Sequence, residues 1–497
     1  MSRSTYLPVL ASSGGSTKTR RLHDAVVDDI RRGRLRSGER LPGSRTLAQR
    51  LGLARTTVVD VVDELVAEGW LTSVAGAGVY VCRDLPEPPP LSTVPPRPGV
   101  DVEPVVLRRR VDPADDAAHD ILPMGGGIPD LRQLPTTTLA RALRTALQRQ
   151  PHQLLGYGDP KGEQVLRQAL ARMLRQRRGV AATVDDVVVT RGAQQALYLL
   201  GQVLLRPGDR VGVECLGYPP AWDAFNTAGA ELVPLPVDDD GLVVDALDDV
   251  TDGGRRPLRA VYTTPHHQFP TLVTLSAARR LRLLAWARRH RVAIIEDDYD
   301  HELHFEGQPT RPLLASDDAG VVVYVGSMSK AFAPALRQGF VVGPRAVLDA
   351  VAQLRQVVDR QGDRVGERAM AELLDEGDVH RHLRKMTQLF RHRRHLLLEL
   401  LQQELADDVE VRAARGGMTV WAHLHRRPRR RAVQDLIDIA AAEGVRVTAA
   451  SSLHVKGADL PFLRIGFAAV DDEEIRRGVW RLRQAVDRWR SAAGSTR

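Results

Sequence analysis

The sequence predicts an α/β protein with two domains, a small helical domain that ends in a β-hairpin and a larger domain built on a mostly parallel sheet. Three observations predict it: helical periodicity and two β-prone runs before residue 84, a proline-rich stretch after it, and continuous Val/Ile runs alternating with helical segments from residue 121 onward. A chain of 497 residues is also too long for one compact core. We therefore assign residues 1–83 to the first domain, 84–120 to a linker and 121–497 to the second domain, with a smaller α+β subdomain over about residues 370–493.

The first domain begins with two predicted helices. Apolar residues recur at helical spacing at Leu22, Val26 and Ile30, and the turn-rich run RSGERLPGS follows them. A short second helix is predicted between Ser44, as its N-terminal cap, and Gly52, which ends it.

A third helix and a hairpin complete this domain. The helix is predicted from about Arg55 to Glu68, with Val58, Val62 and Leu65 on one face. The β-prone runs WLTSV and GVYVC follow, joined by the turn AGAG. Three helices and a small hairpin predict a winged helix-turn-helix, and the alternative on pattern alone is a small helical bundle that contacts other proteins.

The charge of this segment indicates double-stranded DNA as a partner. Residues 18–55 hold eleven Lys or Arg against four Asp or Glu, in a chain whose formal net charge is +8. The third helix opens with Arg55, Thr56 and Thr57, which places a guanidinium and two hydroxyls where a recognition helix meets base edges and phosphates. We expect dimeric, salt-sensitive binding to paired half-sites.

Residues 18–82 resemble the GntR family of bacterial regulators. The resemblance rests on the run GRLRSGERLPGSRTLAQRLGLARTTVVDVVDELVAEGWLTSVAGAGVYV. It implies a set of DNA contacts from the second and third helices and from the wing near the minor groove: Arg45, Arg55, Thr56, Thr57 and Gly76. One departure is Val59, where some members of the family have an arginine.

The predicted linker holds nine prolines within residues 84–120. Proline-rich chain favours the extended polyproline II conformation at ~3.1 Å per residue. The two domains can therefore be well separated and serve different partners.

In the second domain, five β-prone runs alternate with helical segments. The runs are DDVVV, DRVGVE, RAVYT, VAIIE and VVVYV, and helices are predicted from about Gly192, after Pro219 and over residues 275–290. Continuous Val/Ile runs separated by helices predict a mostly parallel sheet covered on both faces. Ligands of such sheets bind at the carboxyl ends of the strands. The positions beyond the five runs are, in order, Gly192, Ala193 and Gln194; Tyr218; His266, His267 and Gln268; Asp297, Asp298 and Tyr299; and Ser327, Ser329, Lys330 and Arg337.

Lys330 is the most informative of these residues, because the chain has only five lysines against 65 arginines. A lysine at the end of a predicted strand in such a chain indicates a need for an amine that can lose its proton. Arginine cannot do this, whereas a lysine with a lowered pKa becomes a Schiff-base nucleophile. The alternative is a surface lysine with no chemical role.

Taken together, the strand-end residues match the requirements of pyridoxal 5′-phosphate. Lys330 supplies the amine that reacts with the aldehyde of this cofactor. The phosphate needs a cation and hydrogen-bond donors. The candidates for these contacts are Arg337, Ser327, Ser329 and the backbone amides around Gly192, Ala193 and Gln194.

The pyridine ring has its own requirements. A carboxylate must hold the ring nitrogen protonated, and Asp297 is the preferred candidate, although the sequence does not exclude Asp298. Tyr299 can bond the ring's O3′ oxygen, His267 can bond a ring oxygen, and Tyr218 can stack on the ring.

Residues from about 121 to 493 resemble the fold-type I aminotransferases, which depend on pyridoxal phosphate. The motifs that carry the resemblance are GYGDPKGEQVLRQALARMLRQRRGV, TRGAQQAL, GYPP, TPHHQFP, EDDYDHEL, GSMSKAFAPALRQGF and FLRIGFA. With the N-terminal domain and linker, the whole chain resembles the MocR subfamily of GntR regulators. The resemblance implies a homodimer in which Arg464 grips the carboxylate of a substrate or effector and Tyr157 reaches the phosphate of the neighbouring subunit's cofactor.

Two departures from the aminotransferase pattern concern ligand specificity. Leu272 stands where the motif Pro-Thr-Gly has glycine, and Thr419 stands where histidine is common. We expect no metal site at His266 and His267, because adjacent histidines without further spaced ligands are usually polar loop residues.

The sequence therefore favours a transcription regulator that senses pyridoxal phosphate, or an amine or amino acid, through Schiff-base exchange at Lys330. The first alternative is a working aminotransferase with an accessory DNA-binding domain, and the second is a DNA-binding protein whose large domain is only a dimerisation scaffold. Cys82 and Cys215 give no disulfide framework. No signal peptide or bilayer-spanning run is apparent, so we expect a cytoplasmic protein without a membrane partner.

Overall fold

The chain divides into two compact units between residues 105 and 106. The predicted linker, apart from Asp84 and Leu85, lies outside the described residues. The computed structural model describes residues 6–10, 17–85, 121–251, 256–330, 332–412, 414–425 and 432–491.

The first unit is a winged helix-turn-helix, as the sequence predicts. Its elements are α1 (Lys18–Arg31), α2 (Ser44–Leu51), α3 (Arg55–Ala67), β1 (Leu71–Val74) and β2 (Gly78–Val81). The two strands pair antiparallel and form the wing. The three helices and the wing share one apolar core, which includes Leu22, Val58 and Val81.

One local prediction in this unit was wrong and another was incomplete. Val62 packs against the same core as Val58 and Leu65, as predicted, but it is only partly buried, and α3 also buries Val61. Ser44 is the first residue of α2 and does not cap it: Gly43 occupies the cap position without a side-chain hydrogen bond. Gly52 does end α2, in the left-handed conformation that glycine adopts without strain.

The second unit contains a seven-stranded sheet. Its order is β4-β12-β11-β10-β9-β5-β6; β12 runs antiparallel to both of its neighbours, and the other pairings are parallel. The strands up to residue 342 are β3 (Leu122–Pro123), β4 (Val187–Thr190), β5 (Arg210–Glu214), β6 (Glu231–Leu235), β7 (Val237–Asp238), β8 (Gly241–Leu242), β9 (Ala260–Thr263), β10 (Ala293–Asp298), β11 (Val322–Ser327) and β12 (Gly339–Val342).

Helices cover both faces of this sheet, which confirms the predicted α/β class. One face packs in a core with Ile295 and Tyr262, and the opposite face packs with Ile294 and Val261. The helices that accompany these strands are α4 (Thr136–Arg149), α5 (Pro151–Leu154), α6 (Gln164–Met173), α7 (Gly192–Leu204), α8 (Pro219–Thr227), α9 (Ala246–Thr251), α10 (Ala277–His290), α11 (Arg345–Val358) and α12 (Arg364–Asp375).

A second, four-stranded antiparallel sheet lies in the C-terminal part of this unit, with the order β13-β14-β17-β16. Strand β15 pairs instead with β3, so the chain near residue 122 joins this part of the fold. The remaining elements are α13 (Asp378–Leu405), β13 (Val409–Arg412), β14 (Thr419–Leu424), α14 (Val433–Ala442), β15 (Val445–Arg446), β16 (Thr448–Ala449), β17 (Phe462–Gly466) and α15 (Asp472–Ser491).

The sequence patterns missed two strands of the large sheet. Strand β6 contains Pro234, which weakens its β signal, and the fold accommodates this proline because β6 is an edge strand. Strand β12 has only four residues, and it is the antiparallel member of the sheet. Among the described residues, none of the helices is long and apolar enough to cross a membrane.

Candidate functional site

The large sheet gathers the predicted site residues at one edge. Strands β9, β10 and β11 are parallel neighbours, so their carboxyl ends lie side by side. Asp297 is the second-last residue of β10, and Ser327 is the last residue of β11. Lys330 follows three residues after Ser327. Burying so many polar groups together is costly unless they bind something, which marks this edge as a ligand site.

The amine of Lys330 lies in a buried, electropositive environment. Burial, followed by the charge of Arg464, lowers the pKa of Lys330 to about 8, and Arg337 contributes in the same direction. The nearby carboxylates Asp300 and Asp297 only partly oppose this shift. A substantial fraction of this amine is therefore neutral near physiological pH, as a nucleophile requires.

A run of three glycines, Gly125–Gly127, connects Lys330 to Arg464. The Lys330 ammonium donates a hydrogen bond to the carbonyl of Gly127, and Nη1 of the buried Arg464 donates to the carbonyl of Gly125 at 2.7 Å. Gly126 has a φ of 80°, and a Cβ there would collide with Thr419 and Arg464. This loop was not among the predicted site residues. Three consecutive glycines are nevertheless typical of a backbone that packs closely against other groups.

The loop between β4 and α7 forms a cradle with Arg337. A Cβ on Gly192 would lie 3.0 Å from the Arg337 guanidinium, and one on Gly339 would lie 2.6 Å from the backbone of Gly192 and 2.9 Å from the amide nitrogen of Ala193. Glycines at 192 and 339 thus let this cation approach the first turn of a 13-residue helix. Free amides and a guanidinium together suit a phosphate.

Ser327, the last residue of β11, and Ser329, which precedes Lys330, are both buried. The backbone amide of Ser329 donates to Oγ of Ser327 at 3.2 Å. Gln194, on α7, donates from Nε2 to the carbonyl of Pro220 at 2.7 Å. The Gln194 side chain is therefore tied to α8, and contacts of the two buried serine hydroxyls with a phosphate stay predictions.

The two adjacent aspartates at the end of β10 occupy different environments. Oδ2 of Asp297 accepts a hydrogen bond from the hydroxyl of Tyr262 at 2.9 Å, while Oδ1 has no partner among the described residues. Burial, only partly offset by Tyr262, raises the pKa of Asp297 to about 7. Tyr262 was not predicted as a site residue, because in the run RAVYT it resembles the other apolar residues of a buried strand.

Asp298 instead belongs to a structural network on the opposite face of the sheet. Its Oδ2 accepts a hydrogen bond from the hydroxyl of Tyr324 at 2.8 Å and lies 2.7 Å from Nδ1 of His301. Burial alone would raise the pKa of Asp298, but the charges of His301 and Arg178 outweigh burial and hold the pKa well below its usual range. Of the two candidates, Asp297 is the carboxyl group that lacks a cationic partner among the residues described, so a positively charged ligand group would stabilise its ionised form.

An aromatic group borders the site. The ring of Phe269 meets those of Tyr218 and Tyr299 edge to face, at centroid distances of 5.6 and 6.0 Å, and the Arg464 guanidinium lies 4.8 Å from its centroid. Burial, followed by the charge of Asp300, raises the pKa of Tyr299 well above its usual value, so its hydroxyl keeps the proton. Phe269 lies in the motif TPHHQFP, where no local feature of the sequence indicates a role for it.

Two predicted residues lie in other surroundings. His267 is buried, with Nδ1 2.9 Å from Oδ1 of Asp300, and it packs against other histidines. Tyr157 is 79% exposed in the single chain, with the Arg360 guanidinium 4.1 Å from its ring centroid. Contacts of either residue with a cofactor stay predictions.

The departure at residue 272 has a conformational consequence. Leu272 has a φ of 65°, in the left-handed region that favours glycine, and its side chain is buried beside Gly417. Such a conformation costs a non-glycine residue about 1–3 kcal/mol. Thr419, the other departure, is buried against Gly126 and therefore shapes the Arg464 side of the site.

The predicted DNA contacts lie at the surface of the first unit. Arg45, Arg55 and Thr56 are exposed, and Thr57 is half-buried at the start of α3. Gly76 is exposed in the wing turn with a φ of 72°, and a Cβ added there would meet no atom within 4 Å. An exposed α3 N-terminus beside a wing is the arrangement by which winged helices meet a DNA groove.

The arginines of this unit differ in their partners. On and just after α1, aspartates pair with Arg20, Arg32 and Arg34. In the part of the chain that the structure describes, Arg45 and Arg55 have no carboxylate partner within salt-bridge distance. Their charges are therefore available to phosphates.

Pyridoxal phosphate fits the residues at the sheet edge. The buried amine of Lys330 suits its aldehyde, the glycine-walled cradle at Arg337 suits its phosphate, and the unpartnered Oδ1 of Asp297 suits a protonated pyridine nitrogen. The winged helix-turn-helix and this site together define a DNA-binding regulator with an aminotransferase-type cofactor domain.

Comparison with known proteins gives the family. The profile of the bacterial regulatory proteins of the gntR family matches residues 18–81, and that of aminotransferase class I and II matches residues 120–482. The "Probable rhizopine catabolism regulatory protein MocR" of Rhizobium meliloti is 32% identical over 94% of this chain and 93% of its own length. The chain belongs to the MocR subfamily of GntR-type transcriptional regulators.

The large domain alone is also similar to enzymes. The aromatic-amino-acid aminotransferase 1 of Thermococcus litoralis is 31% identical over 74% of this chain and 88% of its own length. The crystal structure of LysN, an α-aminoadipate aminotransferase from Thermus thermophilus complexed with N-(5′-phosphopyridoxyl)-L-leucine, matches with a TM-score of 0.71 and 28% identity, over 78% of this chain and 97% of that one. The fold-type I aminotransferase fold is thereby confirmed, and pyridoxal phosphate is the cofactor of this domain.

Proposed function

We propose that this transcription regulator senses pyridoxal phosphate, or a small amine or amino acid, through exchange at Lys330, and that the exchange changes its affinity for DNA. The regulator and its cofactor domain follow from the family. What is proposed here is that Lys330 is the amine that exchanges and that this exchange controls DNA affinity.

The observation that carries the proposal is the shared contact of Lys330 and Arg464 with one short loop. The amine bonds the carbonyl of Gly127, and the guanidinium bonds the carbonyl of Gly125, two residues away. An α-amino acid presents an amino group and a carboxylate at a similarly short separation. A guanidinium fork is the side chain best suited to hold a carboxylate in one orientation.

Each residue then has a defined task. Pyridoxal phosphate, when bound, supplies a reactive aldehyde carbon and an electron-accepting ring. Lys330 would hold the cofactor through its amine and would become free when an effector amine takes its place. Asp297 would keep a proton on the ring nitrogen, Tyr299 would donate a hydrogen bond to the ring's O3′ oxygen, and Arg337 would hold the phosphate.

We further propose that the working unit is a homodimer. The exposed ring of Tyr157 suits contact with a second subunit, and the predicted paired half-sites require two winged helices. We propose that the C-terminal subdomain closes when Arg464 binds the carboxylate of the effector, and that this closure changes DNA affinity. A regulator of this kind binds a paired operator more tightly than a single half-site.

The second candidate function is transamination. Its support is the likeness to aminotransferases and the position of Lys330, since a lysine released by substrate can also move a proton at the substrate's Cα. Turnover of amino-acid and keto-acid pairs by the full chain distinguishes it from sensing alone.

The proposed coupling predicts that an effector alters DNA affinity through Arg464. With full-length protein, cofactor and a labelled fragment selected from random DNA by repeated binding, we expect at least one member of an amino-acid panel to change the apparent Kd by about 5–150-fold. Fluorescence anisotropy measures this change. Arg464→Gln should remove the response, whereas Arg412→Gln, at an exposed arginine of the same sheet, should keep it. Unchanged DNA affinity across cofactor and panel contradicts the proposal.

The pKa of Lys330 predicts how cofactor attachment depends on pH. Because only the neutral amine reacts, the rate of attachment to cofactor-free protein should rise with pH and level off above about 8. Arg464→Gln removes a neighbouring positive charge, so its midpoint should move to higher pH, and that of Arg412→Gln should not. Stopped-flow absorbance gives these rates. A wild-type midpoint near the ordinary lysine value of 10.5 contradicts the assigned environment.

A further inference from the structure

Four histidines pack together behind the cofactor site. They come from the loop after β9 and the loop after β10, and they are His266, His267, His301 and His304. The His266 ring lies 4.1 Å from that of His267 and 4.8 Å from that of His301, and the His267 and His304 rings lie 5.7 Å apart, centroid to centroid. Four imidazoles within one small volume are unusual for a structural core.

Several nitrogens of this histidine cluster lack hydrogen bonds within the described part of the chain. Neither ring nitrogen of His266 has a partner, and the same holds for Nε2 of His267 and Nδ1 of His304. His266 and His267 are only 4% and 2% exposed. A buried polar atom without a partner costs about 1–3 kcal/mol, so four such atoms in one place call for a ligand.

One ring of the cluster is held in place by a carboxylate. His267 is oriented by Asp300, whose Oδ1 lies 2.9 Å from its Nδ1, which leaves Nε2 for a ligand. Carboxylates commonly orient metal-binding histidines in this way.

We propose that His266, His267 and His304 bind a divalent transition-metal ion of the Zn²⁺ type. One nitrogen from each ring lies within 4.8 Å of the others. Zinc–nitrogen bonds of ~2.1 Å in a tetrahedron place the nitrogens roughly 3.4 Å apart, so modest ring rotations close the site. Three imidazoles suit zinc, copper or nickel and not the oxygen-seeking calcium or magnesium.

Gly416 and the partial exposure of His304 determine access to the histidine cluster. Gly416 packs against the free edge of His267, where a Cβ would lie 2.8 Å from Nε2, so only glycine keeps that edge clear. His304 is half-buried and gives the ion a route from solvent. From the sequence we expected no metal at the adjacent pair His266 and His267, because no further ligand is spaced near them along the chain. The structure brings His304, which follows a different strand, next to this pair.

The ion would lie close to the cofactor site without belonging to it. His267 contacts Asp300, and the charge of Asp300 acts on the Lys330 amine. The inference is independent of the proposed sensing, since metal binding can succeed or fail whatever amine exchanges at Lys330.

The test is metal retention by the full chain loaded with pyridoxal phosphate. After chelator treatment, incubation with Zn²⁺ and dialysis, we expect one Zn²⁺ per chain in the wild type by elemental analysis. His304→Gln and His266→Gln should bind Zn²⁺ at least tenfold more weakly by calorimetry, since loss of even an outer-shell partner costs about 10–100-fold. His267 is left unchanged because of its predicted cofactor role.

Controls separate this site from surface binding. A second group, at Glu410, His423 and His425, is largely exposed and is the matched control. His425→Gln should keep the retained Zn²⁺, and Co²⁺ should give visible ligand-field absorption in His425→Gln but not in His304→Gln. Equal Zn²⁺ affinity of His304→Gln and wild type, while both keep the cofactor absorption band, overturns the proposal, as does loss of the ion in His425→Gln alone.

Discussion

Lys330→Ala is expected to abolish the visible absorption band that the protein acquires with pyridoxal phosphate. The band requires an amine joined to the cofactor's aldehyde, and Lys330 is the lysine that follows β11 at the site edge, with a pKa lowered to about 8 by burial and by Arg464. Absorption spectra of the purified protein, with and without added cofactor, measure the effect. The loss should be complete, because alanine offers no nitrogen.

The control for this variant is Lys456→Ala, an exposed lysine of the same unit. It should keep the band at wild-type intensity. Lys330→Ala should still bind the selected DNA fragment, since the winged helix is unchanged, but its affinity should no longer respond to amines. A full band in Lys330→Ala would falsify the assignment, because another amine would then carry the cofactor, whereas the absence of a band in the wild type would favour the scaffold hypothesis.

Asp298→Asn is expected to destabilise the cofactor-free large domain by about 3–5 kcal/mol, the usual cost of removing one partner from a buried charged network. Asp298 accepts a hydrogen bond from Tyr324 and lies against His301, and Arg178, fully buried, depends on this carboxylate and on Glu302 for compensation. Urea unfolding followed by tryptophan fluorescence measures the change.

Asp297→Asn, its immediate neighbour, is expected to behave in the opposite way. Burial raises the pKa of this carboxyl to about 7, so its ionisation opposes folding near neutral pH, and an amide, which does not ionise, should leave the cofactor-free domain at least as stable as the wild type. The variant loses a charge-assisted hydrogen bond to the pyridine nitrogen, which predicts cofactor binding weaker by about 1.5–3 kcal/mol, roughly 10–150-fold. Equilibrium titration with pyridoxal phosphate gives the affinity.

The pH dependence of stability provides a second readout for Asp297. Its folded-state pKa is raised, so its contribution to stability is fully present below the unfolded value of about 3.9 and is lost as pH rises through about 7. Asp297→Asn should therefore lose less stability than the wild type between about pH 4 and 7. If instead Asp298→Asn weakens cofactor binding at unchanged stability, Asp298 is the pyridine partner.

Much of the fold could be predicted from local signals. The runs around Ile294 and Val323 became central parallel strands, because continuous β-branched residues suit a strand buried on both faces. Gly52 ended a helix where expected, since its left-handed conformation is a local property. Local signals did not predict β6, because it contains Pro234. This proline is tolerated only because β6 forms the edge of the sheet.

Strand ends and motif spacing are encoded within a few residues, so the two-domain plan, the candidate edge of the sheet and Lys330 as its candidate amine could all be predicted from local sequence. The different environments of Asp297 and Asp298, on which the preference for Asp297 as the pyridine partner rests, became apparent only in the tertiary structure. Side chains alternate across a strand, so one carboxylate meets Tyr262 and the other meets Tyr324, and these partners lie on neighbouring strands. The same holds for the Gly125–Gly127 loop, which reaches Lys330 across some two hundred residues of chain, since such contacts exist only once the sheet has formed.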